Sequence, residues 1–295
     1  MKTCAENPTM QPRELQTSRQ PHHIAMSTSS TVDPSCADLS LFRRQYLQLV
    51  EPRHILLPPA EVLAESSFQE SLYNSVFAPD AIEHAPPPRY TFTVLKRLIP
   101  ALEVLPPHLA PTCPLILVRQ KATSTNPDHE ASEDLYSLYT EYLCAPPPPT
   151  SPTARVAVTY TLPPPHLPIT LQESPNLISG ALTTGHRTWE AALALCEYLL
   201  VHKELLQSCQ YLLELGAGTG MVALVAARLG VSRIMATDGD EAVVDTLAHN
   251  VKLNQLEEAV TCKKLWWGAE GNSSEFTAPP DVVLGADVVR TLARG

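Results

Sequence analysis

The stretch YLLELGAGTGMVALVAARLG, residues 211–230, decides the fold. An apolar run leads directly into three closely spaced glycines, Gly216, Gly218 and Gly220, and a second apolar run with helix-forming residues follows. This order predicts a strand, a tight turn and a helix, which together form the first unit of a nucleotide-binding α/β fold. Glycines at the turn let the backbone approach a ligand closely, and the amides at the helix start point toward that ligand.

Two carboxylates beside the turn narrow the choice of ligand. Asp238 ends the next apolar segment, where a carboxylate accepts hydrogen bonds from ribose hydroxyls, and Asp240 is the alternative acceptor. Glu214 precedes the turn, where it repels a pyrophosphate but can hold an ammonium, directly or through water. The glycine spacing is G-x-G-x-G, whereas dinucleotide sites have G-x-G-x-x-G. We therefore expect a cationic ligand that carries a ribose, and S-adenosylmethionine fits.

The segments around this unit resemble the lysine methyltransferase group of seven-strand enzymes. The resembling segments are TTGHRTWEAA (183–192), TDGDEAVVDTLAHNVKLNQ (237–255), KKLWWG (263–268) and VVLGADVV (282–289). Farther upstream, LFRRQYLQLVEPRHILLP and YTFTVLKRLI resemble the N-terminal region of the elongation factor 2 lysine methyltransferase family. The resemblance implies a Rossmann-like α/β fold of seven strands, S-adenosylmethionine as cofactor and a lysine of elongation factor 2 as methyl acceptor.

By position, the resemblance also assigns roles to single residues. The cofactor-binding set that it implies consists of Trp189, Glu214, Gly216, Ala217, Gly218, Asp238, Trp267 and Ala286. In this set Trp189 flanks the methionine end and Trp267 stacks near the adenine, with Trp266 as the adjacent possibility; ordinary core packing is the alternative for Trp189 and Trp267. Ala286 contacts the cofactor through its backbone. Asp287 begins the group's D-x-x-Y or D-x-x-F element beside the lysine channel and is the candidate catalytic residue.

Composition divides the 295 residues into four parts. Residues 1–37 are rich in Ser, Thr, Pro, Gln and His, and we expect them to be disordered because they offer little apolar area to bury. Residues 38–145 are predicted to form a mainly helical accessory domain. A proline-rich linker follows at 146–155, and the methyltransferase domain occupies residues 156–295.

Apolar periodicity predicts the elements of the accessory domain. We expect a helix over residues 39–49 that stops before Pro52, a second helix over 59–77, and a third over 90–98 that ends before Pro100. The run LILV predicts a short buried strand or helical piece. The segment EDLYSLYTEYL (133–143) predicts an amphipathic helix with acidic residues in its first turn.

Two further elements are expected between the linker and the glycine turn. The β-rich runs VAVTYTL (156–162) and ITLQES (169–174) predict a hairpin. A helix follows, and either Thr184 or Thr188 is expected to cap its start.

Composition also excludes several classes of function. A net charge of -10 argues against a nucleic-acid-binding surface. The seven cysteines form no C-x-x-C pair and the histidines show no paired spacing, so no metal site is expected. No apolar run approaches the ~20 residues needed to span a bilayer, and the N-terminus lacks an apolar signal core. We expect a cytoplasmic protein, and a monomer is compatible with the sequence.

The C-terminal end departs from the resembling group. Arg290 stands where the group has Tyr or Phe, and a cation there disfavours the approach of a lysine ammonium. The chain ends at Gly295, although a seven-strand sheet needs about three more strands. We therefore expect a truncated end after about Val289 and poor turnover. A non-catalytic binding protein is the alternative function, and a dinucleotide oxidoreductase is disfavoured by the glycine spacing and by Glu214.

Overall fold

The computed structural model describes residues 34–103, 132–151, 153–163, 167–175, 184–267 and 278–288. These residues all belong to one compact unit, Pro34–Gly295. The run LILV, most of the segment expected to be disordered, and the chain from Val289 onward lie outside the described residues. Within the described part, no helix is both long and apolar enough to cross a membrane.

The N-terminal part of the described chain is helical. Its helices are α1 (Pro34–Leu47), α2 (Ala60–Leu63), α3 (Ser66–Leu72), α4 (Pro88–Leu102) and α5 (Glu133–Cys144). They surround a core in which Phe42, Leu72, Leu95 and Leu135 are fully buried. The hydroxyl groups of Tyr46 and Thr91 share a buried hydrogen bond of 2.7 Å that joins α1 to α4.

Three predictions for these helices are wrong in their boundaries. Helix α1 begins at Pro34, inside the segment expected to be disordered. The helix expected over 59–77 is divided into α2, α3 and a π-helical turn, because Glu65 adopts an extended backbone (φ -77°, ψ 120°). Helix α4 continues through Pro100 to Leu102. Leu98, Ile99 and Leu102 are buried, so apolar packing outweighs the hydrogen bond that the exposed Pro100 lacks.

The second half of the chain begins with the predicted hairpin, which the structure confirms. Strands β1 (Val156–Leu162) and β2 (Leu167–Glu173) pair antiparallel, with Val156 opposite Glu173 and Leu162 opposite Leu167. The inward-facing residues Val158, Ile169 and Leu171 are buried in the core of the α/β part, so the hairpin is one wall of that core.

A parallel sheet follows, and it confirms the predicted α/β, Rossmann-like class. Its strands are β3 (Leu212–Leu215), β4 (Ile234–Asp238), β5 (Val260–Lys264) and β6 (Val282–Leu284), and their spatial order is β5-β4-β3-β6. Helices α6 (Glu190–Val201), α7 (Met221–Arg228) and α8 (Glu241–Leu253) accompany the strands. Strand β3 pairs with β4 on one side and β6 on the other, so the strand order reverses beside it. Open α/β sheets bind ligands at the carboxyl ends of the strands at this reversal.

Helix α7 has an apolar sequence because it is covered on several sides. Its residues Met221 to Ala226 are all buried, and it contacts α6, β2, β4 and β5. A helix that is apolar around its whole circumference belongs in the interior of a fold. The glycine turn that precedes α7 is therefore anchored to a buried helix. In the described sheet β6 is at the edge, and the Val283 side chain is 52% exposed.

Candidate active site

The turn between β3 and α7 is closed by backbone hydrogen bonds and needs its glycines. Gly216, Gly218 and Gly220 have φ values of 62°, 54° and 92°, which non-glycine residues rarely adopt. The Ala217 amide donates to the carbonyl of Thr237 at 2.8 Å, which ties the turn to β4. The amide of Gly220 donates to the carbonyl of Ala217 at 2.8 Å, so the turn is fixed before α7 begins.

Asp238 stands at the carboxyl end of β4 and contacts the turn directly. Its Oδ2 accepts the Gly218 amide at 3.1 Å, and its Oδ1 accepts the amide of Asp240 at 3.2 Å. A carboxylate has about four acceptor positions, so capacity remains for two hydroxyl donors. The alternative acceptor, Asp240, is the N-cap of α8 and accepts the amides of Ala242 and Val243. Because Asp240 has this second role, Asp238 is the carboxylate that contacts the glycine turn.

Glu214, near the end of β3, carries a carboxyl group that is buried just before the glycine turn. The residue is 2% exposed, and its Oε2 has no hydrogen-bond partner within the described chain. The pKa of Glu214 is raised to about 8, chiefly by burial; the backbone hydrogen bond from Ala223 lowers it, and the charge of Asp238 adds to the rise. A cation bound beside Glu214 would supply the charge that the unpaired oxygen lacks.

The loops that follow β5 and β6 meet above the glycine turn. A Cβ atom on Gly216 would lie 2.9 Å from Val288 Cγ1 and 3.8 Å from Trp267 Cζ2. A Cβ atom on Gly239, beside Asp238, would lie 3.1 Å from Cε3 of Trp266. Trp266 and Trp267 are 55% and 47% exposed, which does not fit a core-packing role for Trp267. Both indoles therefore border the ends of the central strands, and Trp267 is the one beside the turn.

The loop before α6 crosses the glycine turn from the opposite side. Gly185 packs on Gly218, since a Cβ on Gly218 would lie 3.6 Å from the Gly185 carbonyl oxygen. The indole Nε1 of Trp189 donates to the carbonyl of Thr184 at 2.8 Å, and the Arg187 guanidinium lies 4.5 Å from the Trp189 ring centroid. These contacts fix the half-buried ring of Trp189 on a loop that touches the turn.

The expected threonine cap of α6 is absent. Trp189 occupies the N-cap position, and no side chain caps the helix there. Thr188 is buried, and its hydroxyl contacts Glu173 and Thr219 instead of the α6 amides. A buried carboxylate outcompetes helix amides for this hydroxyl because charge-assisted hydrogen bonds are the stronger ones.

The two candidates after β6 lie in the loop that reaches the turn. Ala286 is partly buried and packs against the core of the α/β part. Asp287 is exposed and has a left-handed backbone conformation with φ 54°. The next residue, Val288, is the one that faces Gly216. Arg290 lies outside the described residues.

Sequence reasoning missed the role of two asparagines, Asn250 on α8 and Asn254 at its C-cap. Asn250 accepts the Gln172 amide at 2.8 Å and donates to the carbonyl of Thr219 at 2.9 Å, so it joins β2 to the glycine turn. Asn254 exchanges hydrogen bonds with the backbone amide and carbonyl of Thr170 at 3.2 and 2.7 Å. The N-V-x-x-N spacing was the available signal, because residues four apart share one face of a helix.

The donors and acceptors at this edge suit a cationic nucleoside. An unpaired buried carboxyl oxygen on Glu214, the Asp238 carboxylate bound to the Gly218 amide, and an exposed indole of Trp267 beside Gly216 all border the glycine turn. Over the described part of the chain, no group of three or more His, Cys, Asp or Glu side chains could hold a metal ion.

Comparisons with known proteins agree with this chemistry. Residues 177–292 match a protein family described as lysine methyltransferase. The protein-lysine N-methyltransferase EFM3 of Chaetomium thermophilum is 37% identical over 261 residues, covering 83% of this chain and 71% of that relative. EFM3 of Saccharomyces cerevisiae is 39% identical over 139 residues, or 41% of this chain and 40% of the relative. Protein N-lysine methyltransferase METTL21A of Xenopus tropicalis is 40% identical over 104 residues, or 34% and 46%.

The similarity to the Chaetomium thermophilum protein extends over most of both chains, so it includes residues outside the segment that matches the family description. The matched segment contains the parallel sheet, the glycine turn and both asparagines, Asn250 and Asn254. The prediction of a lysine methyltransferase is confirmed: this chain belongs to the EFM3 family of protein-lysine N-methyltransferases.

Proposed function

We propose that this chain binds S-adenosylmethionine at the carboxyl ends of β3, β4 and β5 and methylates a lysine of elongation factor 2. The observation that carries the proposal is Glu214: a carboxyl group buried beside the glycine turn, with one oxygen left without a partner in the described chain. Native proteins rarely leave a buried carboxyl oxygen unpaired, so such an atom indicates a missing partner. The ammonium of a methionine moiety is such a partner.

The other proposed contacts follow the geometry of the site. Asp238 retains acceptor capacity for the two ribose hydroxyls after binding the Gly218 amide. Trp267 presents an exposed indole beside Gly216 for stacking on the adenine. Trp189 borders the methionine end, on the loop that packs against Gly218. Ala217 lies in the glycine turn, and Ala286 supplies a backbone group.

Methyl transfer makes modest chemical demands on the protein itself. The cofactor supplies a methyl group bonded to a positively charged sulfur, and this sulfur is a good leaving group when the methyl is transferred. The protein's residues must align a lysine nitrogen with that methyl, because an in-line displacement depends mainly on positioning. Free lysine is protonated at pH 7. Asp287 lies in the loop that follows β6. Its carboxylate is the candidate group for orienting the lysine ammonium while that ammonium loses a proton to water.

Elongation factor 2 is the acceptor implied by the resemblance of the helical region. That region is joined to the α/β part, since α1 contacts β1 and Leu49 packs against the α/β core. The Arg89 side chain also donates to the Pro147 carbonyl at 3.3 Å. We infer that the helical region presents the protein substrate to the site, and that the enzyme acts in the cytoplasm, where this translation factor works.

Titration calorimetry and a labelling assay test the two parts of the proposal separately. S-adenosylmethionine is expected to bind the chain and a nicotinamide dinucleotide is not. With methyl-labelled cofactor and purified elongation factor 2, label is expected on lysine. The variant Asp287→Asn is the control, and it should bind cofactor normally but transfer little label. Cofactor binding without any transfer by the wild-type chain would favour the binding-protein alternative.

A further inference from the structure

Glu173, the last residue of β2, is buried in the middle of a chain of hydrogen bonds that no sequence motif identifies. It is 3% exposed, and its carboxylate accepts three donors. The Thr188 hydroxyl donates at 2.6 Å, the Thr188 amide at 3.3 Å and the Tyr160 hydroxyl at 3.4 Å. A buried carboxylate without partners would destabilise the fold. The three donors therefore stabilise the Glu173 carboxylate at this position.

The hydrogen-bond chain continues from Thr188 into the glycine turn. The hydroxyls of Thr188 and Thr219 are 2.7 Å apart, and both residues are buried. Thr188 has only one hydroxyl proton, and at 2.6 Å that proton goes to the carboxylate of Glu173. Thr219 must therefore donate to Thr188. Burial raises the pKa of Glu173, and the hydrogen bonds from Thr188 and Tyr160 oppose that rise. When it is ionised, Glu173 sets the direction of both hydrogen bonds and the orientation of the Thr219 side chain.

Thr219 is held from the backbone side as well. Its carbonyl accepts the side-chain amide of Asn250, which in turn accepts the amide of Gln172, the neighbour of Glu173 on β2. Two adjacent residues of the hairpin thus reach the same turn residue by separate routes. Thr219 lies between Gly218 and Gly220, whose left-handed backbones shape the turn.

We propose that Glu173 is a positioning residue for cofactor binding, acting through Thr188 on Thr219 and hence on the Gly216–Gly220 turn. This inference rests on the proposed function, because it assumes that the turn holds S-adenosylmethionine. A residue with a merely structural role would stabilise the hairpin without affecting the cofactor. The two roles differ in which measurement changes: the dissociation constant and KM for the cofactor, or the thermal stability alone.

Substitutions at Thr188 separate the two roles with little change in volume. Thr188→Val removes the hydroxyl and should weaken S-adenosylmethionine binding by about 10-fold, the effect of one lost hydrogen bond of ordinary strength. Thr188→Ser keeps the hydroxyl and should bind within ~2-fold of wild type. Glu173→Gln is the second variant, and it should raise the KM for the cofactor more than it lowers kcat. Tyr160→Phe is the matched control, since it removes a different donor to Glu173 and leaves the path to Thr219 intact.

Calorimetry with S-adenosylmethionine gives the dissociation constants, and thermal unfolding without cofactor gives the stability of each variant. The inference is supported if Thr188→Val and Glu173→Gln bind weakly while Thr188→Ser and Tyr160→Phe bind normally. It is overturned if Thr188→Val binds like wild type, or if Tyr160→Phe weakens binding equally. No binding by the wild-type chain would overturn the proposed function and this inference together, whereas normal binding by every variant overturns the inference alone.

Discussion

At the residue scale, the site combines a buried acid with glycines whose backbone conformations other residues adopt only rarely. Glu214 is kept from water by the α/β core, and that burial holds its pKa near 8. Gly216 combines a φ of 62° with a space too small for a Cβ atom. A buried acid and a tight glycine turn each reduce the free energy of unfolding when no ligand is bound. Features of this kind are concentrated at functional sites.

The pKa of Glu214 predicts that cofactor binding depends on pH. With a pKa of about 8, Glu214 is protonated at pH 6, whereas the ammonium of the cofactor is best held by the ionised form. Affinity for S-adenosylmethionine should therefore rise by up to about 10-fold per pH unit between roughly pH 6 and pH 7.5, with a proton released on binding. Calorimetry in two buffers of different ionisation enthalpy measures that proton.

Glu214→Gln is the control for this pH dependence. The amide cannot ionise, so binding should be weaker and nearly independent of pH below roughly 7.5, where the cofactor amine stays charged. A wild-type chain whose affinity did not change over that range would contradict the assignment of Glu214 to the ammonium.

Gly216 and Gly230 form a matched pair for testing the turn. Both have positive φ values, 62° and 104°, but a Cβ on Gly230 would meet nothing within 4 Å, whereas one on Gly216 would meet Val288 and Trp267. Gly216→Ala and Gly230→Ala should each lose about 1–2 kcal/mol from backbone strain. Only Gly216→Ala should also abolish measurable cofactor binding, as tested by thermal unfolding and calorimetry. Equal binding by both variants would show that cofactor binding does not depend on the close packing of Val288 and Trp267 on Gly216.

At the element scale, helix α8 connects the hairpin to the sheet. Its asparagines satisfy backbone groups of β2 that would otherwise be unpaired on that side of the strand. The sequence predicted the hairpin, and the structure places α8 beside it. The sequence did not predict their contact, because side-chain hydrogen bonds to a distant backbone have no periodicity of their own. The same reason explains why the sequence did not indicate that Thr188, one of the two threonines expected to cap α6, binds Glu173 instead.

Substitution of each asparagine should expose one backbone amide. Asn254→Ala should speed hydrogen exchange at Thr170 and leave Gln172 protected, and Asn250→Ala should do the reverse. Each loss should cost about 1–3 kcal/mol, because a buried backbone group loses its partner. Exchange followed by NMR or mass spectrometry resolves the two sites. Uniform exchange across β2 in both variants would mean that the hairpin separates from α8 as a unit.

At the scale of the whole molecule, the described chain contains two hydrophobic cores. The helical core is built around Leu95 and Leu135, and the α/β core around Leu212 and Leu224. Leu49, which has a positive φ of 54°, packs against the α/β core from the end of α1. The cores are therefore separate in composition but joined by contacts.

Truncation of one leucine in each core tests how far the two cores act independently. Leu95→Ala and Leu224→Ala remove fully buried side chains and should each lose about 2–5 kcal/mol of stability. Leu224 is in α7, directly behind the glycine turn, so Leu224→Ala should also weaken cofactor binding. Leu95→Ala should bind cofactor normally while it remains folded. Weaker binding by Leu95→Ala would show that the helical core supports the site.

The sequence by itself determined the α/β class, the glycine turn, the hairpin and the family, because periodicity, glycine spacing and short motifs are local properties of a chain. Tertiary structure alone decided that α4 passes through Pro100, that Asp240 caps α8 while Asp238 faces the turn, and that Glu173 reaches Thr219 through Thr188. Each of these depends on burial and on partners far away in sequence. A hydrogen bond is worth most where water is excluded, and only the folded chain determines where that is.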